Sequence, residues 1–418
     1  MKNVISRTKN ERNGRNGRNG MKNVYYLGIT SLLSDVSTEM ISPIIPIFLS
    51  SIGATGLIIG LIEGVGKASE HILSIFSGWI SDKLKKRKFF ATLGYLISAL
   101  MKGFFSLISS WELFLVLRTI ERSGKAIRNP PRDALIAESL EGKATRKGFA
   151  THRILDTLGA ILGPLITIGI IYFFSAPLKT QEEIISFSKS IFLFSMFFGV
   201  ISVLVIFLLV SERRKIEKKE KIEEIKEKRK EIWKDFKFSK VANSFLVFSA
   251  IFYIGLPMMA IFYLKAASIG LSIAEIFLSS FLFNFSYVLG AYFCKGLKIK
   301  SKKILSIIVF LTAINLFFFS FASNLYIFFT LFFIFGFLFG IFEVETKNYI
   351  QEIEKSKLAS LYGAHRTITG ISILISGVFM GFLWDYFRDL LFFFSFLIVF
   401  ASLFFFRPSK RDFKNFLK

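Results

Sequence analysis

Phe149-Ala-Thr-His152-Arg153 in the first half of the chain and Tyr362-Gly-Ala-His365-Arg366 in the second are one signature written twice inside hydrophobic sequence. The chain holds three histidines, and two of them occupy these equivalent places. More of the register repeats at nearly the same offset: Pro43 with Ile47-Phe48 recurs as Pro257 with Ile261-Phe262, and Gly78-x4-Lys83 recurs as Gly290-x4-Lys295. The chain reads as an internal duplication. In a membrane protein, a parallel repeat of two multi-helix halves implies two bundles that rock against each other around a site between them, an arrangement suited to moving a solute.

Composition places the chain in a bilayer. A hydrophobic content of 53%, 53 Phe residues and a mean hydropathy of +0.54 exceed what the wetted surface of a soluble 418-residue protein tolerates. A soluble enzyme is excluded. The chain is nonetheless 20% charged with a net charge of +24, most of it between the apolar segments. A single cysteine, Cys294, leaves no intrachain disulfide, and so few His and Cys argue against haem or a metal cluster. No cofactor is expected, and no metal. The first twenty residues are polar, with Arg-Asn-Gly repeated from Arg12 to Gly20, which is not a cleavable signal. Residues 1–25 are expected to form a disordered basic tail. Because Met1-Lys-Asn-Val recurs as Met21-Lys-Asn-Val24, Met21 is the expected natural start.

A spanning helix needs roughly 20 mostly apolar residues. Twelve segments qualify, near 26–50, 56–80, 89–109, 111–133, 148–175, 187–210, 240–264, 272–295, 304–323, 325–346, 360–384 and 387–406. Basic residues fill every second connection: the N-terminal tail, Asp82 to Lys88, Lys143 to Lys147, Arg213 to Lys237, Lys295 to Lys303, Lys347 to Lys357, and the tail Arg407 to Lys418. The alternate connections carry chiefly Lys179, Lys189, Lys265 and Arg388. By the positive-inside rule both termini are expected in the cytoplasm, in a multi-pass protein of the plasma (inner) membrane. The expected division is a six-helix bundle over 26–210, a charged cytoplasmic linker over 211–239, a second six-helix bundle over 240–406 and a basic tail over 407–418. In the linker, alternating Glu and Lys from Glu217 to Glu224 can pair one turn apart, and the basic excess attracts anionic headgroups. Trp233 and Phe236 are its aromatic residues, too few for a nucleic-acid stacking surface, so no nucleic-acid partner is expected.

After the second span the chain reads Gly78-Trp-Ile-Ser-Asp82-Lys83-Leu-Lys-Lys-Arg87-Lys88. This resembles the loop signature of the major facilitator superfamily, Gly-x3-Asp-Arg/Lys-x-Gly-x-Arg/Lys-Arg/Lys. The resemblance implies an all-α fold of twelve transmembrane helices in two pseudo-symmetric six-helix bundles. It also implies a gating latch from Asp82 to the start of the eleventh span or to a neighbouring basic residue, with Gly78, Lys83 and Arg87 shaping the loop. Lys85 stands where the family has its turn glycine, and Cys294 replaces the aspartate in the second half. In the fifth span, Gly159-Ala-Ile-Leu-Gly163-Pro164 is similar to a Gly-x3-Gly-Pro motif of exporters in this superfamily, although Thr167-Ile168 replaces the trailing glycine pair. Small residues four apart also let two helices approach closely, which is a structural reading of the same residues.

Each ionised group at bilayer depth costs ~2.5 kcal/mol or more on insertion scales, so charges inside the spans are kept for pairing or for function. The first half holds many. Asp35 and Glu39 lie one turn apart in the first span; Glu63, Lys67, Glu70 and His71 form a stripe on the second; Arg118, Glu121, Arg122, Lys125 and Arg128 stack along the fourth; His152, Arg153 and Asp156 follow in the fifth. Glu63 with Lys67 and Glu121 with Lys125 have ion-pair spacing. Arg118, Arg122 and the first-span carboxylates have no such local partner, so packing of the first and fourth spans is expected to pair them. A carboxylate that gains and loses its Arg as the bundle rocks would bind and release a proton. Asp35, Glu39, Glu63 and Asp156 are the proton-coupling candidates. Arg118, Arg122, Lys125, Arg153, Tyr253 and Asn284 are the candidates for charge pairing and substrate contact, the last two from a second half poor in charge and rich in aromatic residues.

These features lead to one expectation with rivals left standing. A secondary transporter with alternating access is expected, driven by a proton gradient and exporting small organic molecules, with protons, the solute and the bilayer as partners and a monomeric state. Uptake of an anionic solute bound by Arg118, Arg122 and Arg153 is the alternative within that architecture. An integral membrane acyltransferase would rest on His152-x3-Asp156, whose spacing is wrong for the usual motif. A non-transporting sensor would not need the coupling charges.

Overall fold

A computed structural model describes residues 2–140, 143–175, 178–212, 238–294, 299–354 and 357–406. Every regular element in them is helical, which matches the all-α expectation. The linker charges from Glu217 to Glu224, Trp233 and Phe236, the tail 407–418, and Lys295 lie outside the described residues.

Proline decides where the first helix of each half breaks. Helix α1 (Lys2–Glu39) ends in a turn that holds Pro43, and α2 (Ile45–Ser51) resumes the path. In the second half α8 (Lys240–Gly255) stops before Leu256-Pro257-Met258 and α9 (Met259–Ser268) resumes it. A proline supplies no N–H and its ring clashes with the preceding turn, so carbonyls at the break lose their helical donors. Hydroxyls on packed neighbours replace them: Thr167 Oγ1 donates to the Met40 carbonyl at 3.1 Å, and Ser376 Oγ to the Leu256 carbonyl at 2.7 Å. The tail expected to be disordered is instead helical from Lys2. Once Asn23, Val24 and Leu27 are packed, extending a helix backwards adds one hydrogen bond per residue without a new nucleus.

Between the breaks run α3 (Gly56–Leu84), α4 (Arg87–Phe104), α5 (Trp111–Ser139), α6 (Lys143–Phe173) and α7 (Gln181–Leu209). After α9 come α10 (Ile273–Phe293), α11 (Ser301–Phe319), α12 (Leu325–Ile353), α13 (Leu358–Tyr386) and α14 (Leu391–Phe405). Capping boxes start α7, where Thr180 and Glu183 satisfy each other's backbone, and α10, where Ser272 and Glu275 do so. Nine candidate spans among the described residues are long and apolar enough to cross a membrane. Helices α1, α3 and α5 fall outside that group because charged side chains run through them, and with them the count is consistent with twelve passes.

The chain forms two compact units, residues 1–52 with 72–213 and residues 53–71 with 214–418. Helix α3 is therefore divided between them, whereas the expected boundary put all of it in the first. In the first unit α1 packs on α6 and α7, and α4 on α5 and α7. In the second, α8 packs on α13 and α14, and α11 on α12 and α14, which is the same scheme six spans later. Side chains repeat it. Phe48, Phe105, Phe114 and Phe192 form a buried cluster, with Phe48 at 5.2 Å from Phe192 and Phe105 at 4.6 Å from Phe114 between ring centroids. Phe262, Phe319, Phe328 and Phe392 form its counterpart, with Phe262 at 5.4 Å from Phe392 and Phe319 at 5.7 Å from Phe328. His152 of α6 meets Ser31 of α1, and His365 of α13 stacks on Phe245 of α8 at 5.4 Å, so the paired histidines hold equivalent seams.

Candidate functional site

A polar stripe on α1 gathers the charges of the first unit. Ser31, Ser34, Asp35, Ser37 and Thr38 recur at helical spacing and meet side chains of α4, α5 and α6. Ser31 Oγ lies 2.9 Å from His152 Nε2 and 3.1 Å from the Tyr95 hydroxyl, and accepts from Arg132 Nη1 at 3.1 Å. Arg128 donates to Ser34 Oγ, stacks its guanidinium 4.3 Å from the Tyr95 ring centroid, and holds Nη2 3.9 Å from Asp35 Oδ1. Lys102 donates to Ser37 Oγ at 2.9 Å and Thr38 Oγ1 at 3.0 Å. Asp35 in turn lies beside Asp156 of α6, which pairs with Arg153 at 3.3 Å. Two carboxyl groups can share a hydrogen bond only when one of them carries a proton.

The close approach that makes this contact possible comes from small residues. A Cβ on Gly159 would strike the Leu32 carbonyl, and one on Gly163 would sit 2.8 Å from Glu39 Cβ and 2.9 Å from the Val36 carbonyl. Pro164 follows inside α6. Gly159-x3-Gly163 is thus the seam between α1 and α6, and it sets Asp156 against Asp35.

The fourth span departs from expectation. Arg118 and Arg122 do have a local partner: Glu121 lies 3.2 Å from Arg118 Nη1, 3.5 Å from Arg122 Nε and 3.9 Å from Lys125 Nζ, all four being buried. The basic residues of this span that reach α1 are Arg128 and Arg132, about three and four helical turns beyond Arg118. A low-dielectric interior rewards the nearest opposite charge, and Glu121 on the same helix is nearer to Arg118 and Arg122 than any α1 carboxylate that needs a particular depth register. Lys67 likewise pairs with Glu70 at 3.7 Å, where pairing with Glu63 was expected. Arg153, read as a binding charge, is more than half exposed and pairs with Asp156. Sequence reasoning missed Arg132, Tyr95 and the serines. The Ser31-x2-Ser34-x2-Ser37 spacing was the available signal, since three hydroxyls on one face of an apolar helix mark a face turned to polar neighbours.

At the loop after α3, Asp82 pairs with Arg87 at 3.0 Å, and Arg87 also bridges to Glu138. The Arg87 backbone N–H donates to Glu212 at 2.7 Å. Lys83 Nζ lies 5.1 Å from the Trp79 ring centroid, and Gly78 faces Pro130. Lys85, at the position of the signature's turn glycine, adopts φ of +52°, the left-handed conformation that a glycine takes without strain.

In the second unit Glu63 is buried on α3. Tyr253 lies 6.1 Å from Phe342 and 6.4 Å from His365 between ring centroids. Glu343 accepts from the Tyr287 hydroxyl and pairs with Lys347 at 3.1 Å. Asn284 is half-buried on α10, one turn before Tyr287. No group of three or more His, Cys, Asp or Glu side chains with metal-binding spacing occurs among the described residues.

Comparison with known proteins places this architecture. An uncharacterized MFS-type transporter of Methanocaldococcus jannaschii is 46% identical over 147 residues, 35% of this chain and 37% of that protein. The quinolone resistance protein NorA of Staphylococcus aureus is 25% identical over 143 residues, 34% of this chain and 37% of that one. The matched stretch thus spans little more than a third of the length of these curated relatives. The solved structure of the nucleoside transporter NupG superposes with a TM-score of 0.69 at 14% identity, covering 93% of this chain and 100% of that chain, a likeness of fold. The sequence model of the Major Facilitator Superfamily matches residues 27–376, which takes in every helix that carries the charged network, and the chain belongs to that superfamily of membrane transporters.

Proposed function

We propose that this transporter exports small organic molecules in exchange for protons, and that Asp35 and Asp156 hold the transported proton between them. The observation that carries the reading is the placing of Asp35 between Asp156 and Arg128, whose Nη2 lies 3.9 Å from Asp35 Oδ1. The pair holds one proton while the carboxyls touch. When the helices move, Arg128 can replace that proton as the partner of Asp35, because a guanidinium stabilises the ionised form that the second carboxylate destabilises. Export is the direction favoured by the Gly159-x3-Gly163-Pro164 motif and by the partial similarity to a protein named for quinolone resistance. The basic residues in alternate connections support a plasma-membrane protein with both termini in the cytoplasm.

The test is counterflow of a panel of small organic solutes in proteoliposomes, with and without a pH gradient. Asp35→Asn and Asp156→Asn should each abolish gradient-driven accumulation and leave downhill exchange measurable. Full accumulation in both variants would move the proton site to Glu39 or Glu63. A second reading, uptake of an anionic solute, is favoured by the buried grouping of Arg118, Arg122 and Lys125 on one carboxylate. Under it the panel's carboxylates and phosphates would be taken up with the proton, and cationic solutes would not exchange.

A further inference from the structure

Two polar layers of the first unit lie one helical turn apart. Asp35, Asp156 and Arg128 make one; Ser31, His152 and Arg132 make the other, each four residues from its counterpart on the same helix. The second layer lies nearer the starts of α1 and α6 and the end of α5. Tyr95 joins the two, with its ring under the Arg128 guanidinium and its hydroxyl 3.1 Å from Ser31 Oγ. Ser31, Tyr95 and His152 are buried. A serine hydroxyl has one O–H and two lone pairs. Arg132 Nη1 occupies one lone pair of Ser31 at 3.1 Å, so Ser31 donates to one of Tyr95 and His152 and accepts from the other. Donating to His152 suits a ring with a bare Nε2, and accepting from it suits a ring with Nε2–H. The chain therefore serves either condition of the ring without losing a bond. The charged groups in electrostatic reach of that ring are Arg132 and Asp133 of α5, and Arg153 and Asp156 of α6.

The duplication supplies a contrast. The register that matches Pro43 to Pro257 and His152 to His365 puts Phe245 in the place of Ser31 and Thr369 in that of Asp156, and His365 stacks on Phe245 at 5.4 Å. The seam was kept in the second unit, but the hydroxyl against the ring and the carboxyl one turn on were not. We propose that His152 relays the proton between the Asp35–Asp156 pair and the cytoplasmic side, through Ser31 and Tyr95. This rests on the reading of that pair as the proton site and of both termini as cytoplasmic. In the step, the O–H bond of Asp156 breaks as an N–H bond forms at Nδ1, the ring nitrogen not engaged by Ser31, and Arg153 at 3.3 Å balances the carboxylate left behind. The ring then gives its Nε2 proton to Ser31, Ser31 passes its own to Tyr95, and Tyr95 releases one to water when the cytoplasmic side opens. Rotation of the two hydroxyls restores the starting order.

Inside-out vesicles on a solid-supported membrane present the cytoplasmic face to a step from alkaline to acidic buffer. The transient current, less that of vesicles lacking the chain, reads the charge carried to the pair and the speed of its arrival, with no cargo present. Asp35→Asn combined with Asp156→Asn should remove the charge, and unchanged charge would overturn the proton-pair reading itself. His152→Gln, which keeps a donor and an acceptor for Ser31, should leave the charge and slow the decay roughly a hundredfold, the low end of what a positioned proton-transferring side chain contributes. Imidazole in the buffer should restore the speed to His152→Ala, a rescue that a packing role does not allow. His365→Gln, at the equivalent seam, should leave the decay unchanged. Ser31→Ala should slow it as well, and it carries the test if the His152 variants fail to fold. Unaltered decay in His152→Gln and Ser31→Ala, or equal slowing in His365→Gln, would overturn the relay and leave the proton pair standing.

Discussion

At the residue scale, Arg128 decides how the first unit handles charge. Its planar fork reaches Ser34 and Asp35 while its face rests on Tyr95, and lysine can do neither the forked contact nor the stacking as well. Arg128→Lys should therefore lower gradient-driven transport at least tenfold while Arg118→Lys, whose charge still sits beside Glu121, lowers it less; equal losses would mean that any buried cation serves. Lys85 offers a test of stability instead. Its left-handed backbone costs a side-chain-bearing residue about 1 kcal/mol, so Lys85→Gly should raise the thermal unfolding midpoint by a degree or more and Lys85→Val should lower it. Asp35 and Asp156 were legible in the sequence because a carboxylate in an apolar span stands out. The basic partner of Asp35 was not. Arg118 and Arg128 sit about 15 Å apart along one helix, and which of them meets α1 depends on the depth at which α1 and α5 cross, a quantity no local pattern encodes.

At the element scale, the sequence pattern worked where a residue acts on its own helix and failed where a helix acts on another. Gly159-x3-Gly163 announced a close seam, and Pro43 and Pro257, read from the sequence only as part of the repeat, stand at both helix breaks, because proline and glycine change backbone chemistry wherever they stand. The division of α3 was hidden, since Gly56 and Gly60 acquire their meaning only from Gly377 and Gly381 more than half the chain away. The expected disorder of the N-terminal tail failed for a related reason: its composition is poor in apolar residues, but it continues a helix nucleated elsewhere. The α6 glycines separate the two uses of the residue. At Gly159 a Cβ meets backbone that cannot yield, whereas at Gly169 nothing lies within 4 Å. Gly159→Ala should lower the unfolding midpoint by several degrees and expose the α1–α6 seam to cysteine labelling, and Gly169→Ala should leave both unchanged or raise stability through helix propensity. If the two variants behave alike, the seam is not what holds α1 to α6.

At the scale of the whole molecule, the duplication kept one thing and let another drift. The four-ring cluster survives in both units, centred on Phe48 in one and Phe262 in the other, with the same helices contributing to each. The polar face did not survive: the register that matches Pro43 to Pro257 and His152 to His365 places Ser249 where the first unit has Asp35, and Thr369 where it has Asp156. Proton chemistry on this reading belongs to one unit, while rigidity is supplied separately to each. That separation can be measured. In a bilayer there is little hydrophobic force between helices, so the clusters hold by dispersion and edge-to-face ring contacts, and truncating a fully buried ring leaves a cavity worth about 3–5 kcal/mol. Phe48→Ala should accelerate amide exchange in α2, α5 and α7, which supply the other rings or their supports, and leave α9, α12 and α14 as they were. Phe262→Ala should do the reverse. Since neither ring touches a charge of the Asp35 network, Phe262→Ala should also leave proton-coupled accumulation intact at temperatures below its lowered unfolding midpoint. Acceleration spread evenly over both sets of helices in either variant would show that the chain unfolds as one body, and that the repeated aromatic clusters are not independent cores.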